Sequence, residues 1–404
     1  MMKYAIVALV VMGLLIFSSI GICEINKTNL SGLIIDVIKT FGGSGNDNGN
    51  VMVYTSNGTI VGGFCNEMNS KDQSAYLCFL DNSYKLVWQK SWINGTFGRI
   101  VGLVLDNSGN IFCAYETDGA NAVVEFSDTG NLLQWKTFPT QDIWSMCIGG
   151  NNIFISGING DNAYIAKLDL NDTIVWQRNW SIGTTATFAN SLISNDNKTL
   201  YVVGTNYEPF VDSTDAILVA FSTSNGTELW NKTWGIPNKI DNSIGLASDK
   251  YNNIYISGGL DDCRKTYTRK CDVLGNLLWE KQWWDIGITY GDTVIINGTN
   301  VLVGGLSDIQ AMVLEYDTNG MYLDGYVLKD YSLSSLSDLS IAKNGTIYGT
   351  GSVINGTTNT DIALFKISPV VVPEFAFIMV PITLIALFLV ADSTKKKKIL
   401  RDIW

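Results

Sequence analysis

The sequence predicts an all-β fold: a seven-bladed β-propeller of four-stranded blades, with an N-terminal strand closing the last blade. Three observations predict it. The same order of short apolar strands and turns recurs seven times between Val51 and Ser368. The second strands begin at residues 60, 111, 153, 200, 254, 301 and 347, a spacing that suits one four-stranded blade per unit. Six units end in a fourth strand and the seventh does not, while residues 33–42, which fit the vacancy, precede the first unit.

In chain order, residues 1–23 come first. Lys3 is followed by an unbroken apolar run, Tyr4 to Phe17, and by the small residues Ser18, Ser19 and Gly21. This is the layout of a secretory signal peptide cleaved after Gly21 or Cys23, with an uncleaved anchor as the alternative. Residues 33–42 follow. Lys39-Thr40-Phe41-Gly42 matches Lys232-Thr233-Trp234-Gly235, so the segment is expected to serve as fourth strand of blade seven within a ring spanning 33–368. Gly42 to Asn50 reads as a connector rather than a calcium or anion loop.

Within each unit the second strand, b, is β-branched and aromatic, as in Ile60–Cys65, Ile153–Gly157 and Ile254–Gly258, and most copies end in glycine. Strand c follows, from Ala75–Leu80 in the first unit to Ile362–Ile367 in the seventh. Strand d carries paired aromatics: Trp88 and Trp92, Trp135 and Phe138, Trp176 and Trp180, Trp230 and Trp234, Trp279 and Trp283. A spacing of four places both rings on one strand face, where they are expected to fill the space between blades. The sixth copy, near Tyr322 to Leu328, is degenerate.

The last segment, 369–404, changes character. Phe375 to Val390 carries no charge, and Lys395 to Lys398 and Arg401 follow. An apolar run of this length is near the lower limit for a transmembrane helix, expected at about 375–391. The basic cluster would hold the far end in the cytoplasm, leaving the repeats outside.

Composition excludes several chemistries. The chain has no histidine, so a Ser-His-Asp triad and His-ligated zinc are absent. Its net charge is −11, the wrong sign for a nucleic-acid partner. Of seven cysteines, Cys23 belongs to the leader. Cys65 with Cys78 and Cys263 with Cys271 each flank a b–c hairpin and are candidate disulfides outside the cell, with buried thiols as the equal alternative. Cys113 and Cys147 read as thiols.

Two resemblances add to this reading. Pro373-Glu374-Phe375, the hydrophobic segment containing Pro381 and the lysine cluster resemble an archaeal PEF-CTERM sorting signal. That resemblance implies recognition by an archaeosortase-like processing enzyme, removal of the helix and transfer to a lipid anchor; an ordinary membrane anchor is the alternative. Asn242 to Asp249 with Asn253 to Gly258 resembles the SBBP-type repeat of secreted and surface propellers. Gly226 to Trp230 and Gly275 to Trp279 resemble the tryptophan-docking turn of quinoprotein (PQQ-type) propellers, a packing device that carries little evidence for a cofactor.

Candidate chemistry is sparse. Asp106, Asp128, Asp169, Asp249, Asp272 and Asp317 recur at turns, where capping of the backbone is favoured over calcium ligation. No cofactor is expected, with calcium the single candidate. Asp261 to Lys265 is the most polar patch and reads as a b–c hairpin tip. Twelve Asn-x-Ser/Thr sequons occur. Those at Asn57, Asn94, Asn171, Asn225, Asn297, Asn344 and Asn355 are candidate glycosylation sites in an exported chain. The expected function is a surface-anchored, non-enzymatic adhesion, envelope or carbohydrate/protein-binding module. The alternative is a secreted propeller enzyme: a His-free glycan hydrolase or lyase, or a degenerate quinoprotein.

Overall fold

Seven antiparallel sheets of four strands each make up the described part of the chain. The computed structural model describes residues 33–369 except 67–71, 139–140, 172, 183–185, 209–212, 286 and 355–358. The signal-peptide segment, the Pro373-Glu374-Phe375 triplet, the apolar run at about 375–391 and Asn355 lie outside the described residues. In six sheets strand order follows the sequence; blade 1 runs a (Asn48–Thr55), b (Gly58–Asn66), c (Gln73–Asp81), d (Leu86–Trp92). The seventh joins strands from both ends of the ring. Leu33–Phe41 lies beside Thr360–Pro369, which lies beside Ile347–Ile354 and then Ser334–Ile341.

Strand b is the most buried element, because neighbouring blades cover both its faces. Ile254–Leu260 is buried at each position, which explains why strand b reads as a continuous apolar run rather than an alternation. Core clusters form between blades. Leu33 and Ile35 join Leu302 and Val313 of blade 6, with Val37 packed alongside. Ile38 and Phe41 pack against the cluster of Met52, Val61 and Tyr76 in blade 1. The closing strand is thus gripped on both faces.

The tryptophans act as docking posts between blades. Trp88, Trp176 and Trp279 donate through Nε1 to the carbonyls of Asp128, Thr223 and Thr318, each in the c–d turn of the next blade. A glycine in that turn lies against the ring: Gly130 on Trp88, Gly226 on Trp176, Gly275 on Trp230 and Gly320 on Trp279. Gly275→Ala would set a Cβ 2.6 Å from the Trp230 ring at a φ of 74°. It is expected to cost ~2–3 kcal/mol in a denaturant titration. Gly298→Ala, at a φ of 65° with open space around it, should cost only ~1 kcal/mol.

Two sequence expectations are corrected. Trp135 is not a packing post: it is 37% exposed and lies edge-on to Tyr115 of its own blade. Gln134 takes the docking position instead. It pairs with Glu125 at the start of the strand-d ladder, as Trp88 pairs with Phe79, and donates to the Asn171 carbonyl at 2.9 Å. Aligning Trp135 with Trp88 is a one-residue slip, and in a strand that slip reverses the face. The candidate disulfides also fail. Cys65 is opposite Ser74, whereas Cys78 is opposite Val61. Four ladder positions separate them by about 13 Å, against a Cα limit of about 7 Å for a bridge. Cys271 is opposite Ile254 at the far end of the hairpin from Cys263, about 20 Å away.

Candidate functional site

Every strand a carries a β-bulge. The ladder skips one residue at Asn50, Val101, Trp144, Ala189, Ile244, Asp292 and Ser337. A bulge turns its extra residue out of the ladder. Asn50, Val101, Trp144, Ile244, Asp292 and Ser337 line a central channel of about 690 Å³. The glycine that recurs late in strand b is the sequence trace of this device. A Cβ at Gly63, Gly157, Gly258, Gly305 or Gly351 would sit 1.9–2.1 Å from a strand-a carbonyl beside the bulge.

The channel holds two carboxyls on neighbouring strands with different roles. Asp338 accepts from Met52 N at 2.9 Å, Leu339 N at 2.8 Å and Thr293 Oγ1 at 3.3 Å, which ties blade 7 to blades 1 and 6. Burial outweighs these bonds and raises its carboxyl to about 6. Asp292 has only burial acting on it and is pushed up to about 8, so at neutral pH it is mostly protonated. Tyr290, raised to about 12 by burial and then by the Asp292 charge, and Cys263, whose thiol burial also raises, share its surroundings. Arg99, at the channel's edge, is paired with Glu116 at 2.7 Å. Arg99, Asp292 and Asp338 therefore line one channel, with the arginine already paired.

The Asp261–Lys265 patch is a b–c hairpin tip with an unusual backbone. Asp261, Asp262 and Cys263 all have left-handed φ values, 58°, 59° and 58°. Each left-handed non-glycine residue costs ~1–2 kcal/mol. The tip is held by Asp261 N donating to Asp241 Oδ1 at 2.8 Å and Thr289 N donating to the Cys263 carbonyl at 2.6 Å. Lys239 bridges Asp262 at 2.6 Å and Asp261 at 3.4 Å, and Lys265 reaches Asp261 at 3.2 Å. Cys263 faces the channel, while Asp261, Asp262, Arg264 and Lys265 line a second cavity of about 560 Å³ outside it.

The other sequence-selected residues fall mainly on the opposite face, where the a–b and c–d turns lie. Asp106, Asp169, Asp249, Asp272 and Asp317 each accept backbone amides two and four residues on, within 3.0 Å. Asp128 does not; Ser127 Oγ caps that turn. Among the described residues no three His, Cys, Asp or Glu side chains cluster as a metal site. Asn57, Asn171, Asn225, Asn297 and Asn344 sit in or beside a–b or c–d turns, and Asn94 lies on the b–c face. The a–b face also carries exposed apolar residues near the start of strand d, among them Val87, Leu133, Val175, Leu229, Leu278 and Met321. Leu33 and Pro369, where the chain enters and leaves the ring, are on that same face.

Comparison with known proteins supports the architecture. No family model matches the chain, and no curated protein does. Solved propellers do. Sqt1 from Chaetomium thermophilum aligns with a TM-score of 0.52 at 14% identity, over 80% of this chain and 84% of that one. The WD40 domain of Neurospora crassa Pan2 aligns with a TM-score of 0.53 at 9% identity, over 80% and 89%. At these identities the likeness shows the fold alone.

Proposed function

We propose that this β-propeller is an exported binding module, tethered at the cell surface, that recognises a ligand through its b–c face. One observation carries the reading: Leu33 and Pro369 share the a–b face. The channel mouth and the strained blade-5 tip lie at the other end of the strands from both of these attachment points. The signal-peptide layout and the PEF-CTERM-like tail supply the address, through an archaeosortase-like enzyme and a lipid or membrane anchor. Five of the candidate glycosylation positions lie on the tethered face, which would leave the b–c face largely bare.

The test presents the full chain, in detergent, to surface-glycan and surface-protein arrays and identifies what is retained by mass spectrometry. Ligand recovered unaltered is expected. Ligand recovered cleaved or isomerised would overturn the binding reading in favour of an enzyme. That second reading has one observation of its own: a carboxyl held protonated at neutral pH, such as Asp292, is a competent general acid. It predicts that Asp292→Asn abolishes turnover and keeps binding.

A further inference from the structure

Trp284 is 64% exposed, the most exposed of the described tryptophans. Its neighbour Trp283 is packed between blades 5 and 6. Trp284 begins the connection between those blades and forms one wall of the 560 Å³ cavity. The left-handed tip forms the other.

The polar groups of this cavity divide into two sets. Asp261, Asp262 and Lys265 are engaged with one another or with Lys239. Arg264 and Asp285 make no ion pair among the described residues, so a donor fork and a carboxylate acceptor remain available beside the indole. Asp261, Asp262 and Asp285 are balanced by Lys239, Arg264 and Lys265, which leaves the site near neutrality. A near-neutral site gives no advantage to a polyanion or a polycation. The cavity's volume suits a small ligand rather than a folded partner. Strained backbone of the kind at Asp261–Cys263 collects at ligand sites, where it fixes the direction of a contacting side chain, here Arg264.

We propose that this cavity is a carbohydrate subsite for a neutral glycan. A pyranose has an apolar C–H face and rings of hydroxyls at its edge. The C–H face stacks on the Trp284 indole. Adjacent hydroxyls accept from the Arg264 guanidinium and donate to the Asp285 carboxylate. This deepens the binding function proposed above and rests on it.

The experiment titrates the full chain in detergent with neutral hexasaccharides (cellohexaose, mannohexaose and xylohexaose) and follows tryptophan fluorescence and calorimetric heat. Saturable binding of at least one is expected. Trp284→Ala should weaken it about tenfold or more, and Arg264→Gln several-fold, with melting temperatures unchanged. Leu133→Gln, on the far face, should leave binding as it was. Glycan binding that Trp284→Ala does not alter would overturn the subsite and leave the module reading standing. Capture only of an acidic glycan or a peptide, with no neutral hexasaccharide bound, would also overturn the subsite. Failure to retain a ligand of any class would overturn the module reading itself.

Discussion

A chain lacking residues 33–42 should lose the cooperative unfolding transition of the ring. Leu33 and Ile35 are buried with blade 6, Val37 packs beside them, and Ile38 and Phe41 pack on blade 1. Two buried side chains at ~1.5–3 kcal/mol each, with three partly buried ones adding to them, approach the whole ~5–15 kcal/mol stability of a typical fold. Removal would also bare the edge of Thr360–Pro369, now paired with the closing strand, and an unpaired edge invites association. The expected result is a broadened, much lower melt with aggregation. A shortened chain melting like the parent would refute closure. Ile35→Asp, at a side chain 2% exposed, should show the same trend with the backbone intact.

The second large effect is on pH. Asp292 has a folded pKa of about 8 against an ordinary 3.8, so between those values the folded state holds a proton that the unfolded chain lacks. Stability from this group is therefore full below about 4, and is lost as pH rises toward 8. Asp338 and Asp47, each raised to about 6 by burial, act in the same direction at lower pH. The turn carboxylates Asp249 and Asp272 are lowered by hydrogen bonds that outweigh their desolvation, so their contribution is lost as pH falls through the acid range. The melting temperature should therefore peak at mildly acid pH. Asp292→Asn should raise it at pH 8 and barely change it at pH 5. Because Asp292 faces channel water, the gain is discounted to ~1–2 kcal/mol. Equal effects at both pH values would contradict a proton held in the channel.

The blades were legible because strand b is apolar on both faces and is bounded by Asn- and Gly-rich turns. The closing strand was legible because Phe41 repeats the place of Trp234. Blade 2 misled because Trp135 stands one residue out of register with Trp88, and composition favours it where geometry uses Gln134. Hairpin-flanking cysteines suggested bridges, but flanking a hairpin does not make two residues opposite. The channel itself was half-written: glycines in strand b mark the bulges, yet nothing in a strand-a sequence such as Gly291-Asp292-Thr293 says which residue leaves the ladder. The left-handed tip was invisible, since Asp261, Asp262 and Cys263 adopt by tertiary constraint a backbone that glycine would have announced.

The most direct test of the proposal that the ring recognises a ligand on its b–c face is hydrogen–deuterium exchange. The full chain would be compared in detergent with and without extracted cell-envelope material. Protection is expected to be confined to the b–c face, in peptides covering Leu260–Lys265 and the strand-a start at Thr289–Asp292. Protection confined to the a–b and c–d turns, around Asn57, Asn225 and Asn344, would contradict it.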